Sequence, residues 1–352
     1  MQFLAGGHRL RASLTSETGS PAPRLIILAK PVEVPRRQFF AFLVAASLAI
    51  SAARAQTASC ATPGNDNAFL GIQTIRLWPG APPEAKGNTC DDIPTLTLFE
   101  PQKGSETGSA VIILPGGAYA RLAGDLEGRE VADWFTARGF TAFILSYRLS
   151  SNGYLLPVPL LDARRAIQTL RARALDYHIN PNRIVVIGFS AGGHLAALAG
   201  TQFTPGNPDA DDPVDRASSR PDFLVLGYPW IGAISSDTLS LSYCKLFNVM
   251  DQCEALRVAY SPDLFVTKDT PPTFIYHTFT DKAVPVEQTL RFYNALVKAG
   301  VTSELHIFAS GAHGSGLGKG DPALEQWPNL LENWLRAQGL LMADKAAVGA
   351  TP

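Results

Sequence analysis

A serine in a glycine-rich turn has the sequence context that most directly indicates chemistry. Gly188-Phe189-Ser190-Ala191-Gly192 follows the apolar run Ile184–Ile187 and leads into an alanine-rich stretch. Gly-x-Ser-x-Gly between a buried strand and a helix is typical of a nucleophile elbow, a sharp turn that exposes the serine hydroxyl. Glycines on both sides leave room for so tight a turn. The sequence therefore predicts that Ser190 is a catalytic nucleophile rather than a solvated loop serine.

A histidine base should activate this serine, and it should lie near the end of the chain, since the usual order is serine, acid, histidine. His313 lies in a glycine-rich loop directly after the last predicted strand, where an imidazole can swing over the edge of a sheet. His194 lies one helical turn past Ser190, so we expect it to be buried behind the elbow as a structural residue. The other histidines have different places: His8 in the N-terminal leader, His178 before the serine, and His277 and His306 inside predicted strands.

Asp281 is the predicted acid of this group. It follows the strand before the histidine loop, and a predicted helix begins soon after it. The alternative is that Asp281 caps this helix, a role that aspartate serves well. The order Ser190, Asp281, His313 favours the catalytic interpretation, in which the carboxylate orients the imidazole.

Acyl transfer also needs N–H donors that face the oxyanion of the tetrahedral intermediate. One should be the backbone N–H of Ala191, directly after the nucleophile. The others should come from the small residues Gly117 and Ala118 in Pro115-Gly116-Gly117-Ala118-Tyr119, which follows an early predicted strand. Pro-Gly-Gly alone is more often a simple turn, and its place before the elbow favours the functional interpretation. Tyr119 is then predicted to bind substrate as a wall of the cleft.

Elements of alternating type must position these residues. From about residue 72 onward, short apolar strands alternate with helices of period near 3.6, the pattern of a mostly parallel sheet covered by helices on both faces. The predicted strands are Ala110–Leu114, Ala142–Ser146, Arg183–Gly188, Phe223–Gly227, Thr273–His277 and Glu304–Phe308. The predicted helices are Arg129–Arg138, Leu161–Tyr177, Ala191–Gly200, Val286–Ala299 and Leu330–Gln338. Two segments break the alternation, Thr204–Pro221 and Ile231–Pro272, and we expect both to form the rim or lid of a cleft.

Composition excludes several classes of partner. The 352 residues are 46% hydrophobic and 17% charged, with a formal net charge of −1, as in ordinary globular proteins. The sequence has no basic patch of the kind that binds nucleic acid. It also has no cysteine or histidine cluster with the spacing of metal ligands, and the predicted serine chemistry needs no cofactor. A small, mostly uncharged molecule is the expected partner, and the oligomeric state stays open.

The N-terminus has the outline of an export leader. Arg36-Arg37 precedes an uncharged apolar run, Phe39–Ala53, and Ala53-Arg54-Ala55 matches a small-x-small cleavage site. We predict a twin-arginine-type leader, with the general secretory route as the alternative because Pro35 stands where serine or threonine is usual. The apolar run is too short to span a bilayer, so removal is favoured over a membrane anchor. Residues 1–55 should be removed, leaving 56–352 as one catalytic domain in the periplasm or outside the cell.

Export affects how the cysteines are interpreted. Four cysteines in an oxidising compartment permit three pairings, and we favour Cys60–Cys90 with Cys244–Cys253. The alternative is that they are buried thiols.

The combination of motifs resembles the acetyl esterase branch of the α/β-hydrolases, which includes acetyl xylan esterases and bifunctional feruloyl/acetyl xylan esterases. The likeness covers roughly residues 72–338 and rests on five stretches. They are Leu114–Tyr119 with Glu127-Gly128, Gly188–His194, Ser219–Phe223, Thr280–Pro285 and Gly311–Gly314. The resemblance implies an α/β-hydrolase fold with the nucleophile at Ser190, the acid at Asp281, the base at His313 and oxyanion donors at Gly117, Ala118 and Ala191.

Two departures limit what carries over from the family. Ala118 stands where the family usually has a third glycine, which puts the acceptable acyl group in doubt, and the Cys244–Cys253 region is unlike the short family segment. The resemblance implies an exported serine esterase, a carbohydrate O-acetyl esterase, with a small-molecule or oligosaccharide ester as its substrate. The alternatives are a feruloyl or other small-ester esterase, a peptidase of the prolyl-oligopeptidase type and a non-catalytic binding module. The peptidase is disfavoured because the chain has no room for a propeller domain.

Overall fold

An eight-stranded sheet forms the framework of this computed structural model, which describes residues 73–232, 244, 251 and 253–342. All of these residues belong to one compact unit of the chain, Arg54–Pro352. The strands are β1 Thr74–Arg76, β2 Thr95–Phe99, β3 Ala110–Leu114, β4 Thr141–Ser146, β5 Ile184–Phe189, β6 Phe223–Gly227, β7 Thr273–Thr278 and β8 Ser303–Phe308. Their spatial order is β1-β2-β4-β3-β5-β6-β7-β8. The predicted leader, residues 1–55, lies outside the described residues and stays a prediction.

The sheet is parallel from β4 through β8 and antiparallel where β2 meets β1 and β4. Because the carboxyl ends of parallel strands meet at one edge, the loops after β3, β5, β6, β7 and β8 converge there. This is the mostly parallel sheet that the sequence predicts. The antiparallel strands β1 and β2 were not among the predicted strands, since β1 has three residues and β2 alternates threonine with leucine.

Helices cover both faces of the sheet. They are α1 Glu130–Thr136, α2 Val158–Ala172, α3 Ala191–Thr201, α4 Cys253–Ala259, α5 Val286–Ala299 and α6 Trp327–Ala337. Side chains of α2, α3 and α5 pack with one face of the central strands, while those of α1 and α6 pack with the other. Along β3 the alternation is direct, because Ile112 belongs to the first cluster and Ile113 to the second. Both sides of the central strands are therefore buried, as their continuous apolar runs indicate.

Several helix boundaries differ from the prediction. Helices α2 and α6 each begin three residues earlier than predicted, with Pro159 and Pro328 in their first turns. Proline is accommodated there because the first N–H groups of a helix have no helical partner. The predicted helix Arg129–Arg138 is shorter in the structure, where α1 runs from Glu130 to Thr136 directly after a π-helical turn, Gly124–Arg129. None of the helices in the described ranges is long and apolar enough to cross a bilayer.

The prediction that Thr204–Pro221 forms part of the cleft rim is wrong. This segment connects the end of α3 to the start of β6, so it lies at the amino ends of the parallel strands. Arg171 on α2 donates to the carbonyls of Ser218 and Arg220 at 2.6 and 2.8 Å, which ties the segment to that helix. A connection from a helix to the next strand returns the chain to the edge opposite the catalytic loops, whatever its composition.

The second irregular segment, Ile231–Pro272, follows the carboxyl end of β6. A disulfide joins Cys244 to Cys253, which confirms that predicted pair. Cys90 is also disulfide-bonded, and the other member of its predicted pair, Cys60, lies outside the described residues. Residues 233–243 lie outside them too, so the lid-like role of the segment stays a prediction.

Candidate active site

Ser190 lies at a strained turn between β5 and α3. Its backbone has φ 52° and ψ −117°, in the positive-φ region that side-chain-bearing residues rarely adopt. Two glycines make the turn sterically possible: a Cβ on Gly188 would lie 2.1 Å from the Gly192 carbonyl oxygen, and one on Gly192 would lie 2.0 Å from the Leu114 oxygen. The Ser190 carbonyl accepts from the N–H of Trp230 at 3.1 Å. Backbone packing therefore fixes the hydroxyl at the carboxyl edge of the sheet, where a nucleophile elbow should place it.

His313 reaches Ser190 from the loop after β8. Its Nε2 lies 2.8 Å from Ser190 Oγ, and its Nδ1 lies 2.7 Å from Asp281 Oδ2. The first distance is within the range for proton transfer from a nucleophile to its base, and the second is that of a hydrogen bond that orients the imidazole. The imidazole side chain is 23% exposed, so an incoming substrate can approach it. The structure thus brings the three predicted side chains into one hydrogen-bonded chain.

Asp281 is held by donors on both of its oxygens. Oδ1 accepts from the N–H groups of Ala283 and Val284 at 2.8 and 2.9 Å. Oδ2 accepts from His313, and His277 Nε2 lies 3.3 Å from it. Burial alone would raise the pKa of Asp281, but these hydrogen bonds, from His277 and His313 first, outweigh burial and hold the pKa below its ordinary value. Asp281 is therefore an ionised, immobile partner for the imidazole.

Asp281 does not cap the next helix, which was the alternative to its catalytic role. Helix α5 begins at Val286 with Pro285 as its N-cap, so Asp281 lies outside the capping position. Its Oδ1 instead closes a local turn through Ala283 and Val284.

Three backbone N–H groups lie in the two segments predicted to form the oxyanion hole. In the described part of the chain, no acceptor pairs with the N–H of Gly117, Ala118 or Ala191. Gly116 is close to the nucleophile, because a Cβ on it would lie 3.0 Å from Ser190 Cβ. Gly117 and Ala118 have φ values of 130° and 57°, which turn the chain so that successive N–H groups are left without partners. Unpaired donors beside a nucleophile are what an oxyanion hole requires.

The expectation that Tyr119 forms a wall of the cleft is wrong. Its side chain is 2% exposed, and its hydroxyl lies 2.8 Å from Nδ1 of His194. His194 is fully buried, as predicted, and its Nε2 lies 2.7 Å from the Tyr260 carbonyl oxygen. A carbonyl can only accept, so Nε2 carries the proton and the Tyr119 hydroxyl donates to Nδ1. The hydrogen bond between Tyr119 and His194 therefore holds the residue that follows the Gly117–Ala118 turn in the interior.

Comparison with known proteins places this site in a family. The BD-FAE family matches residues 96–223, and the prolyl oligopeptidase family matches residues 238–338. The structure of an acetyl ester-xyloside bifunctional hydrolase from Caldicellulosiruptor lactoaceticus is 38% identical, covers 77% of this chain and 97% of its own, and has a TM-score of 0.69. This chain belongs to the acetyl esterase branch of the α/β-hydrolases. An esterase from Thermogutta terrifontis is a more distant neighbour of the branch, at 27% identity, 76% and 97% coverage and a TM-score of 0.60.

An acetylxylan esterase from Xylanibacter ruminicola also resembles this member of the branch. It is 31% identical over 247 residues, which are 69% of this chain and 48% of that protein. The chain spans about half or less of the length of the first curated relatives that it matches.

Three residues near the site of this branch member were not predicted to take part in it: Glu127, Tyr228 and His277. His277 was expected inside a strand and lies fully buried on β7, but its contact with Asp281 was not predicted. The hydroxyl of Tyr228 donates to Oε1 of Glu127 at 2.7 Å. The signal for Glu127 was its place in the Glu127-Gly128 pair of the family-like stretches, and for Tyr228 it was an aromatic residue directly after β6.

Proposed function

We propose that this protein is a serine esterase that hydrolyses carboxylic esters, with Ser190, His313 and Asp281 as its catalytic triad. The observation that carries the proposal is the continuous hydrogen-bonded chain from Ser190 Oγ through His313 to Asp281, at 2.8 and 2.7 Å. A serine hydroxyl hydrogen-bonded to an oriented imidazole is the arrangement that activates it as a nucleophile.

The acylation step follows from this geometry. Ser190 Oγ attacks the ester carbonyl carbon while His313 Nε2 accepts the hydroxyl proton, and Asp281 stabilises the imidazolium that forms. The N–H groups of Gly117, Ala118 and Ala191 donate to the oxyanion. As the intermediate collapses, His313 returns the proton to the leaving alcohol, and the acyl group stays on Ser190.

Deacylation uses the same groups. A water molecule gives a proton to His313 Nε2 and attacks the acyl carbon, so a second oxyanion forms against the same three N–H groups. The proton then returns to Ser190 Oγ as the carboxylic acid leaves, and the enzyme is restored.

The substrate class we propose is O-acetylated carbohydrate. The similar structure from C. lactoaceticus is named for hydrolysis of acetyl esters and xylosides, and the relative from X. ruminicola is an acetylxylan esterase. Ala118 supports a small acyl group, because its exposed methyl lies in the turn that must face the acyl carbon. A feruloyl esterase is the second candidate, favoured by the match to the BD-FAE family, and a peptidase is the third, favoured by the match to the prolyl oligopeptidase family.

A panel of substrates separates these candidates. Initial rates should be measured on acetylated xylan, 4-nitrophenyl acetate and butyrate, methyl ferulate and an aminoacyl anilide. We expect release of acetate from xylan and fast turnover of the acetyl ester. Faster turnover of methyl ferulate or of the anilide would replace the acetyl specificity by the second or third candidate.

We also propose that the protein is exported and acts in the periplasm or outside the cell, after removal of residues 1–55. The disulfide between Cys244 and Cys253 and the bonded state of Cys90 support an oxidising compartment. Mass spectrometry of the exported protein should find Gln56 as the first residue. An intact leader would contradict the cleavage, and export unaffected by Arg36→Lys with Arg37→Lys would contradict the twin-arginine route.

A further inference from the structure

Glu127 is a buried carboxylate next to the site that the triad does not use. It is 3% exposed and lies in the π-helical turn Gly124–Arg129. Its Oε2 accepts from the N–H of Gly116 at 2.7 Å, and its Oε1 accepts from the Tyr228 hydroxyl at 2.7 Å. The two oxygens therefore bind donors from two different loops.

Each donor leads to a different part of the site. Gly116 begins the turn that carries the Gly117 and Ala118 N–H groups, and it lies against Ser190. Tyr228 leads to the histidine loop, since its hydroxyl accepts from the N–H of Gly316 at 2.9 Å. Its ring also contacts the imidazole of His313, with centroids 5.0 Å apart at an angle of 62°. One carboxylate thus connects the oxyanion turn with the loop that holds the base.

The charge of Glu127 also acts within the site. Burial raises its pKa, while the hydrogen bonds from Tyr228 and Gly116 and the charges of His313 and Arg121 oppose that rise. The same negative charge helps to raise the pKa of Tyr147 and Tyr276 after burial, and the hydroxyls of these tyrosines donate to the carbonyls of Pro115 and Gly316. Both oxygens accept hydrogen bonds, which is the arrangement of an ionised carboxylate. When His313 accepts the Ser190 proton, the negative charge of Glu127 favours the imidazolium in addition to that of Asp281.

We propose that Glu127 is a positioning residue for the esterase reaction. It fixes the position of the oxyanion turn relative to the His313 loop and stabilises the protonated imidazole through its charge. This inference rests on the proposed function. A purely structural role would require the hydrogen bonds alone, whereas the proposal requires the charge as well.

Two variants separate the charge from the hydrogen bonds. Glu127→Gln removes the charge, and its carbonyl oxygen can still accept from Gly116 while its NH2 group can only donate toward Tyr228. Tyr228→Phe removes the hydrogen bonds of the hydroxyl to Glu127 and Gly316 and keeps the charge of Glu127. Asp125→Asn is the matched control, because it neutralises an exposed carboxylate on the same π-helical turn. The measurements are kcat and KM for 4-nitrophenyl acetate, the pH dependence of kcat/KM, the rate of labelling by a fluorophosphonate, and thermal unfolding.

For Glu127→Gln we expect kcat to fall about 10- to 100-fold with KM little changed, the rate equivalent of one charged hydrogen bond lost from the transition state. The acid limb of the pH profile should move to lower pH by about half a unit to one unit, because a nearby anion no longer favours the protonated imidazole. Labelling should slow in parallel. Tyr228→Phe should lower kcat by a smaller factor with the acid limb in place, and Asp125→Asn should resemble the wild type.

The outcomes are distinguishable. A Glu127→Gln variant with wild-type kcat, or with a lower kcat and unfolding temperature but an unmoved acid limb, overturns this inference and leaves the esterase intact. A folded wild-type protein that neither hydrolyses esters nor reacts with the fluorophosphonate overturns the proposed function, and this inference with it.

Discussion

The two sides of Ser190 are built in different ways. On the elbow side, β5, the turn and α3 are fixed by backbone packing, in which Gly188 and Gly192 leave no space for a side chain. On the loop side, Asp281 and His313 are fixed by side-chain hydrogen bonds that reach across the fold. The nucleophile is thus positioned by sterics over a few residues, and the base by polar contacts between distant segments. Damage to the elbow side should therefore appear first as lost folding, and damage to the loop side first as lost rate.

The largest effects should come from the triad. Ser190→Ala and His313→Ala should each lower kcat by about 10⁶, and Asp281→Asn by about 10⁴, by analogy with serine hydrolases dissected in this way. Because the three act as one unit, a double variant should be little worse than the worse single one. Stopped assays on 4-nitrophenyl acetate check this, with circular dichroism to show that each variant is folded. A folded His313→Ala variant with near wild-type kcat would show that the loop side does not supply the base.

Gly192→Ala tests the elbow side. The added methyl would lie 2.0 Å from the Leu114 oxygen and 2.6 Å from the Pro115 oxygen, so the backbone must move. We expect the free energy of unfolding to fall by about 3 kcal/mol or more, at the upper end of overpacking effects. Gly80→Ala is the control, since nothing lies within 4 Å of the added atom. Equal denaturation midpoints for the two variants would show that the turn is less constrained than the sterics indicate.

His194 makes the elbow side sensitive to acid. Burial lowers its pKa to about 4, so between about pH 4 and its ordinary value of 6.5 the unfolded chain binds the proton and the folded chain does not. Stability should rise with pH across this window and fall, by on the order of 3 kcal/mol, as pH drops from 6.5 to 4. Urea denaturation at several pH values measures it.

The matched variants for this pH effect are His194→Gln and His306→Gln. Glutamine at 194 can still donate to Tyr260 and accept from Tyr119, and the variant should lose much of the slope. His306, half-buried on β8 and 2.7 Å from Glu304, is the control and should leave the slope in place. An unchanged slope in His194→Gln would assign the acid sensitivity to other groups.

The smallest effect should be on acyl preference. Ala118 adopts a φ of 57°, where glycine is equally at ease, so Ala118→Gly should fold normally and widen the space beside the acyl carbon. The ratio of kcat/KM for acetyl over butyryl esters should fall by about threefold to tenfold, the effect of removing a small steric contact. Ala120→Gly, in the same exposed loop, should leave the ratio unchanged. A ratio insensitive to Ala118→Gly would place acyl selection elsewhere.

The elbow side could be predicted because its signals are local. An apolar strand, two glycines and an alanine-rich helix determine the turn, and the order of acid and histidine after it follows from the sheet. The hydrogen bonds of Glu127 could not be predicted, since it meets Tyr228 from 101 positions away. Tyr119 was misjudged because exposure depends on its bond to His194, 75 positions along the chain. Thr204–Pro221 was misjudged because its composition indicates a loop without indicating the edge of the sheet.

Whether Ser190 is the activated nucleophile can be measured by mass spectrometry of the protein after reaction with a fluorophosphonate, with the modified peptide sequenced. We expect one phosphonyl group per chain, on Ser190, absent in Ser190→Ala and formed far more slowly in His313→Ala. A label on another residue, or a folded wild-type protein that takes up none, would contradict the claim that Ser190 is a nucleophile activated by His313.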